Sequence, residues 1–205
     1  MSRRFVPLIG IVPEGWFVVL LLALIVGLAY YNGRELLAAS VLLLILPVGV
    51  YFHDSPRRVP SRPRGILCPV DGTVVFRREC HDPVLEREAV CIRIRVDRWG
   101  GYCLRAPIEG EVVSVPRSYA RAVSCLRTDE GDEVILALTR GAMIGARPIW
   151  LPFGERVGQG RRCGVRRLAR EIEMLLPAGV RVEVALGEQV RCGETVIATL
   201  LRRKA

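Results

Sequence analysis

The first quarter of the chain contains two long runs of apolar residues. Trp16 to Tyr31 carries no charged residue, and neither does Leu36 to Phe52. Only Asn32 to Glu35 separates them. Since each run is close to the roughly 17–25 residues that span a bilayer as a helix, we predict a transmembrane helical hairpin over residues 16–31 and 36–52. A buried hairpin of a soluble protein is the alternative, but neither run has the polar stripe typical of one.

The rest of the chain alternates short valine- and isoleucine-rich runs with glycine-containing turns. Cys91 to Val96 and Val180 to Val184 alternate strictly between apolar and polar residues, a pattern typical of half-buried strands. We therefore predict a mainly β domain of short strands over residues 66–205. Residues 55–65, SPRRVPSRPRG, are predicted to be a basic connector that joins it to a membrane anchor over residues 1–54.

Two short sequences recur within the predicted β domain. Pro69 to Val75 is similar to Pro107 to Val113, and Gly154 to Gly160 is similar to Gly187 to Gly193. This repetition predicts two related half-units packed together. The pattern G-E-x-V-x-x-G before a strand also resembles the hairpin of lipoyl- and biotinyl-type barrels, which carry a modified lysine. Because the only lysine is Lys204, we expect these hairpin repeats to reflect the fold and no carrier function.

The chain is basic, with a formal net charge of +9. Arginines flank the apolar runs, whereas the turn between them holds Arg34 beside Glu35. The positive-inside rule then predicts that both termini and the β domain lie at the cytoplasmic face. No nucleic-acid motif is present, so we expect an anionic phospholipid membrane as partner and no nucleic acid. Each arginine after the second run could contribute about 1 kcal/mol of attraction to such a membrane; they are Arg57, Arg58, Arg62 and Arg64.

Seven cysteines are scattered through the β domain without a C-x-x-C pair, and His53 and His81 are the only histidines. An odd number of cysteines at a cytoplasmic face indicates reduced, mostly buried thiols. The scatter does not match the ligand spacing of zinc sites. We expect no metal site and no catalytic role for either histidine.

Five segments carry the motifs of one enzyme family, in the family's order. Tyr102 to Gly110 reads YCLRAPIEG, and Gly164 to Pro177 reads GVRRLAREIEMLLP. The others are FHDSPRRVP at 52–60, CPVDGTV at 68–74 and VALGEQVRCGETVIA at 184–198. Together they resemble the phosphatidylserine decarboxylase family in its short, archaeal-type form. The resemblance implies a β-rich decarboxylase-like domain preceded by an anchor.

Enzymes of this family process themselves. A serine hydroxyl attacks the carbonyl of the glycine before it, and β-elimination from the resulting ester leaves a pyruvoyl group on the new N-terminus. That group condenses with the amine of the lipid and accepts electrons as CO2 leaves. An aspartate and a histidine act with the serine in the cleavage, in the manner of other nucleophile–base sets.

The matching positions of this chain lack most of that set. The aspartate is Asp71, but Tyr102 stands at the histidine position and Ala169-Arg170 at the glycine–serine pair. Arginine has no β-hydroxyl, so neither the acyl shift nor the elimination can begin there. A tyrosine with an ordinary pKa of about 10 is a poor base near neutrality. We therefore expect no pyruvoyl group and no other cofactor.

Three features admit two interpretations each. Asp71 is either a surviving catalytic carboxylate or, like Glu109 in the repeat, a turn-stabilising residue, and we favour the turn. Arg105 either holds a lipid phosphate or is a solvated surface residue. Residues 166–177 are compatible with a strand or a helix, and the family's extended segment favours the strand.

These features predict a membrane-anchored, decarboxylase-like protein of phospholipid metabolism that does not decarboxylate. It would bind phospholipid headgroups, or pair as a homo- or hetero-oligomer with a lipid enzyme. A second hypothesis is an active phosphatidylserine or archaetidylserine decarboxylase with an atypical site. A third is a structural module that uses the β scaffold for protein contacts.

Overall fold

The computed structural model describes residues 13–54, 56–62, 64–115, 123–140, 149–166 and 168–201. The chain forms two compact units, Met1–Pro56 and Arg57–Ala205.

The first unit is a helical hairpin. Helix α1 spans Pro13–Tyr31 and helix α2 spans Glu35–Tyr51. Gly33 ends α1 in the left-handed region, with φ of 71°, which is the usual way for glycine to stop a helix and let the chain turn. The positions of both helices therefore follow from the apolar runs and the Asn-Gly turn.

The prediction that this hairpin is transmembrane is wrong. No helix in the described part of the chain is long and apolar enough to cross a membrane. Helix α2 has 17 residues, which at about 1.5 Å per residue is shorter than the roughly 30 Å hydrocarbon core of a bilayer. It also contains Pro47, which cannot donate a backbone hydrogen bond within a helix. The absence of charge showed that these runs are apolar but did not settle their length as helices.

The second unit consists of short antiparallel strands, so the chain is mainly β as the alternating pattern predicted. The strands are β1 (Gly65–Leu67), β2 (Gly72–Asp82), β3 (Arg87–Val96), β4 (Cys103–Arg105), β5 (Gly110–Val113), β6 (Val123–Arg127), β7 (Glu133–Arg140), β8 (Arg156–Val157), β9 (Arg162–Val165), β10 (Glu171–Pro177), β11 (Arg181–Val182), β12 (Gln189–Val190) and β13 (Val196–Thr199). They form an eight-stranded sheet in the order β12-β2-β3-β10-β7-β6-β5-β8, a three-stranded sheet β1-β13-β11 and the pair β4-β9.

Strand β10 lies in the middle of the large sheet, between β3 and β7. Met174 is opposite Ile92 on one side and Leu136 on the other. Ile172, Met174 and Leu176 belong to the main core, and Leu175 points into a smaller cluster on the opposite face. Pairing on both edges thus makes residues 171–177 a strand, although their composition favours a helix locally.

The two sequence repeats have matching hydrogen bonds. In the first, the backbone of Val74 exchanges hydrogen bonds of 2.8 and 3.0 Å with the turn at 187–188. In the second, the backbone of Val112 exchanges bonds of 2.9 and 3.0 Å with the turn at 154–155. The strand pairs β1-β13 and β4-β9 also correspond. The related half-units inferred from the repeats are therefore present in the fold.

Each repeat begins a strand, β2 or β5, with a glycine that has no room for a side chain. A Cβ on Gly72 would lie 2.1 Å from the carbonyl oxygen of Arg95, and a Cβ on Gly110 would lie 2.2 Å from that of Arg127. Both distances are far below contact, and both obstacles are backbone atoms of the neighbouring strand. The glycine in the P-x-acid-G motif is therefore required by strand packing.

The seven cysteines are all free thiols, and all except Cys80 are buried. Burial raises the pKa of Cys68, Cys91 and Cys125 to about 12, so these groups stay protonated near neutrality. This agrees with the expectation of reduced, mostly buried thiols. Within the described residues, no cluster of histidine, cysteine, aspartate or glutamate is placed to hold a metal ion.

Replacing either repeat glycine by alanine is expected to destabilise the second unit. Gly72→Ala or Gly110→Ala should lower the free energy of unfolding by about 2 kcal/mol or more, because a rigid strand backbone must shift. Urea denaturation measures the effect. Gly158→Ala is the matched control, since its Cβ would meet the Cγ of Arg161 at an ordinary 3.4 Å. Equal unfolding midpoints for Gly72→Ala and Gly158→Ala would contradict the packing argument.

Candidate functional site

Asp71 lies at the centre of a buried hydrogen-bond junction. Its Oδ2 accepts from Arg57 Nη2 and from the backbone N–H of Gly101, both at 2.7 Å. Its Oδ1 accepts from the backbone N–H of Cys192 at 2.8 Å. The residue is only 8% exposed. One carboxylate thus joins the connector, the loop after β3 and the turn before β13.

The loop at 97–101 packs directly on this carboxylate. The backbone N–H of Asp97 donates to the carbonyl oxygen of Asp71 at 2.9 Å. A Cβ on Gly100 would lie 2.7 Å from the Cβ of Asp71, so glycine permits the close approach. Tyr102 follows this loop immediately and is buried, with 4% of its surface exposed.

The turn at 168–170 carries the positions of the family's reactive pair. Ala169 is buried and Arg170 is exposed. The N–H of Ala169 donates to Arg166 at 2.8 Å, and the carbonyl oxygen of Arg170 accepts from Val96 at 2.9 Å. Strand β10 begins one residue later. The backbone at this position is therefore held at the end of β3, beside the loop that contacts Asp71.

Arg166 connects the turn at 168–170 to the loop at 97–101 through hydrogen bonds. Its guanidinium donates to the carbonyl oxygen of Asp97 and, at 2.8 Å, to that of Arg98. Its N–H donates to the carbonyl oxygen of Tyr102 at 3.1 Å. The four positions that the resemblance implied, 71, 102, 169 and 170, thus lie on segments gathered at one end of β3 and β10.

A cleft of about 800 Å³ opens beside Asp71. Its charged lining consists of Asp71 and Asp97 with four arginines, and Thr73 and Gln189 add neutral polar groups. The arginines are Arg57, Arg95, Arg98 and Arg191.

Two of these arginines form no ion pair with a described acidic residue. Arg57 is paired with Asp71 at 2.7 Å, and Arg191 lies 3.9 Å from Glu194. In the described ranges neither Arg95 nor Arg98 has an acidic partner within 4.0 Å. Guanidinium groups of this kind bind phosphate through paired N–H donors. The cleft is chemically suited to a phosphate-bearing ligand.

The structure separates the arginines predicted to bind headgroups. Arg57 lines the cleft, but its charge is directed at Asp71. Arg58, Arg62 and Arg64 are exposed and do not line it. Arg105 is 7% exposed and donates to the carbonyl oxygen of Gly160 at 3.1 Å. Arg105 is thus not a solvated surface residue, because it holds a turn of the second repeat.

Sequence reasoning missed Arg95, Arg98 and Arg191 as site residues. Arg95 stands on the polar side of the alternating Cys91 to Val96 run, where it reads as an ordinary exposed strand residue. Only the antiparallel pairing of β2 with β3 and β12 brings these residues beside Asp71. The alternation could have identified the exposed face but not the cleft.

Comparisons with known proteins agree with the motifs. No family model matches the chain. Phosphatidylserine decarboxylase proenzymes of Burkholderia mallei, Burkholderia pseudomallei and Burkholderia vietnamiensis are 29%, 28% and 28% identical to it, over 93% of this chain and 95%, 95% and 96% of theirs. The chain is thus similar to phosphatidylserine decarboxylase proenzymes over nearly its whole length. Among solved structures, glucose permease IIA from Mycoplasma capricolum has a TM-score of 0.42 at 18% identity, covering 65% of this chain and 93% of that chain.

Removing the charge of Asp71 is expected to destabilise the second unit. Asp71→Asn should lower the free energy of unfolding by about 2–4 kcal/mol, because Arg57 loses its partner and an amide N–H faces a backbone donor. Asp129→Asn is the control, since Asp129 forms an exposed pair with Arg156 at 2.7 Å and such pairs contribute little. Urea denaturation of both variants gives the comparison. An Asp71→Asn protein as stable as Asp129→Asn would show that the junction is dispensable.

Proposed function

We propose that this chain is a non-processing member of its family, which acts in phospholipid metabolism by binding phospholipid headgroups in the cleft beside Asp71. The observation that carries the proposal is Arg170. It stands where the family has its nucleophilic serine, in the turn that precedes β10, and it offers no hydroxyl. The proposal keeps the family's ligand class and omits the family's reaction.

The residues present do not fit a pyruvoyl group. The group must be generated in place from a serine, and the pair here is Ala169-Arg170. The backbone of this pair is hydrogen-bonded to Arg166 and Val96. A pyruvoyl group therefore cannot form from Ala169 and Arg170.

Thr73 does not replace the missing serine. It follows Gly72, so a glycine carbonyl does precede a hydroxyl. Gly72 is paired with Val96 on β3 and with Val190 on β12. A peptide bond held flat between two strands does not have the strained geometry of a tight turn. Thr73 instead lines the cleft, where its hydroxyl suits the recognition of a polar ligand.

The charge of the cleft supports a phosphodiester ligand. Arg95 and Arg98 supply positive charge and form no ion pair with the described acidic residues, and Gln189 adds an amide. The fixed pair of Arg57 and Asp71 rigidifies the wall. An anionic phospholipid supplies the phosphate that these groups would bind, and its remaining polar groups would meet Thr73 and Gln189.

The first test is the intact mass of the full chain purified in mild detergent. We expect one species of about 22.8 kDa that does not react with carbonyl probes, because no hydroxyl is available at position 170. The phosphatidylserine decarboxylase proenzyme of Burkholderia mallei, prepared alongside, serves as the reference for processing. A second chain that begins at residue 170 with a blocked, carbonyl-bearing terminus would overturn the proposal and favour an atypical decarboxylase.

Headgroup binding is tested with dihexanoylphosphatidylserine below its micelle concentration. Arg95→Gln should weaken binding about tenfold in isothermal titration calorimetry, as expected for the loss of one charge-assisted hydrogen bond. Arg181→Gln is the matched control, since Arg181 is exposed on β11 and does not line the cleft. If both variants bind as the unmodified chain does, or if none of the three binds, the cleft is not the headgroup site.

A further inference from the structure

Two large apolar side chains are exposed where the loop and the turn meet. Trp99, in the loop at 97–101, is 67% exposed, and Leu168, in the turn at 168–170, is 58% exposed. Arg166 ties these two segments together through the carbonyl oxygens of Asp97 and Arg98. The two apolar residues therefore lie on segments that Arg166 joins, and the loop of Trp99 lines the cleft through Asp97, Arg98 and Gly100.

Leu168 has a backbone conformation that disfavours its residue type. Its φ is +67°, in the left-handed region that glycine and asparagine occupy at least cost. The side chain is 58% exposed, so its burial does not offset the cost of this backbone conformation. Local strain together with an exposed apolar group indicates a role outside the packing of this chain.

The charges around these residues are mainly positive. Arg98 is exposed and precedes Trp99 directly. Arg170 is also exposed and follows Leu168 by two residues. Neither has an ion pair with any other described residue. Asp97 is the exposed acid of the two segments. Trp99, Leu168, Arg98 and Arg170 are called the docking surface below.

We infer that the docking surface binds the headgroup layer of an anionic bilayer. Tryptophan is enriched at that depth because its ring is apolar and its N–H can meet polar groups. Arginines beside it bind lipid phosphates. A protein partner would account for exposed apolar groups, but the uncompensated arginines beside them favour a lipid surface.

This inference rests on the proposed function, since a headgroup still in its bilayer must reach the cleft. Arg98 belongs to both the cleft lining and the docking surface. A lipid held at the docking surface would thus have its phosphate beside Arg95 and Arg98. The docking surface would bring the cleft to its ligand without extraction of the lipid.

Tryptophan quenching tests the docking surface directly in the full chain. The protein has three tryptophans, so Trp16→Phe with Trp150→Phe leaves Trp99 as the reporter. Trp16→Phe with Trp99→Phe leaves Trp150, which is 46% exposed, as the matched control. The probe is a vesicle of equal parts phosphatidylcholine and brominated phosphatidylglycerol. We expect a blue shift and quenching for Trp99 and neither for Trp150. An unquenched Trp99, or equal quenching of both, would overturn the inference.

Single substitutions separate docking from folding. Leu168→Asn should keep or raise the thermal midpoint, because asparagine adopts positive φ more readily, while its partition onto the same vesicles falls. Arg170→Glu should lower partition by about fivefold or more, whereas Arg181→Glu, with the same charge change on β11, should retain it more fully. Partition unchanged by Leu168→Asn, or equal for the two glutamate variants, would contradict the assignment of these residues.

The two proposals fail in different ways. Leu168→Asn should leave the affinity for monomeric dihexanoylphosphatidylserine unchanged, since that lipid needs no bilayer contact. Loss of monomer binding in Leu168→Asn would contradict a separate docking role. If Arg95→Gln and the unmodified chain bind the monomer equally while Trp99 is still quenched, the headgroup proposal fails and the docking surface stands.

Discussion

The arrangement of the second unit depends on one buried carboxylate. Asp71 accepts hydrogen bonds from Arg57, Gly101 and Cys192, and these donors come from three segments that are distant in sequence. A buried carboxylate with three donors is stable because both of its oxygens accept hydrogen bonds, one of them from a guanidinium group. The same junction places the loop at 97–101, and through Arg166 that loop is joined to the turn before β10. Asp71 thus orders the loop that lines the cleft.

The two hairpins share a backbone arrangement but differ at their acidic residue. Both copies use the same glycine-led strand and the same backbone exchange with a Gly-Glu turn. Asp71 is buried in the first copy, whereas Glu109, at the equivalent position, is exposed. One methylene more in the side chain and a different neighbouring loop leave the second copy without a junction.

Loss of a reaction need not disturb a scaffold of this kind. The segment from Gly164 to Pro177 keeps the family's length and its apolar positions, since Ile172, Met174 and Leu176 form core contacts in the middle of the sheet. The residues that differ, Ala169 and Arg170, lie in the turn before the strand. Core packing limits which residues can occupy the strand. The turn before it makes fewer core contacts, so its residues can vary more freely. A chain of this fold can therefore vary at these two positions and keep the core of the strand.

Sequence alone determined several features of this protein. Strict alternation identified the β domain, the repeats identified the paired half-units, and the motifs indicated the likeness to phosphatidylserine decarboxylases. These features depend on local patterns and on residue chemistry, which a sequence displays directly. The transmembrane assignment failed because apolar character was used without the helix length that the fold would set.

Only the tertiary structure decided where the charges act. Arg105 is buried and donates a hydrogen bond to the carbonyl oxygen of Gly160, and Arg57 forms an ion pair with Asp71. From the sequence, both were predicted to bind headgroups. Arg95 and Arg98 look like ordinary exposed residues in the sequence and line the cleft in the fold. Likewise β10 is a strand because β3 and β7 pair with both of its edges, against its local propensity. Long-range pairing sets which side chains meet, and no local pattern contains that information.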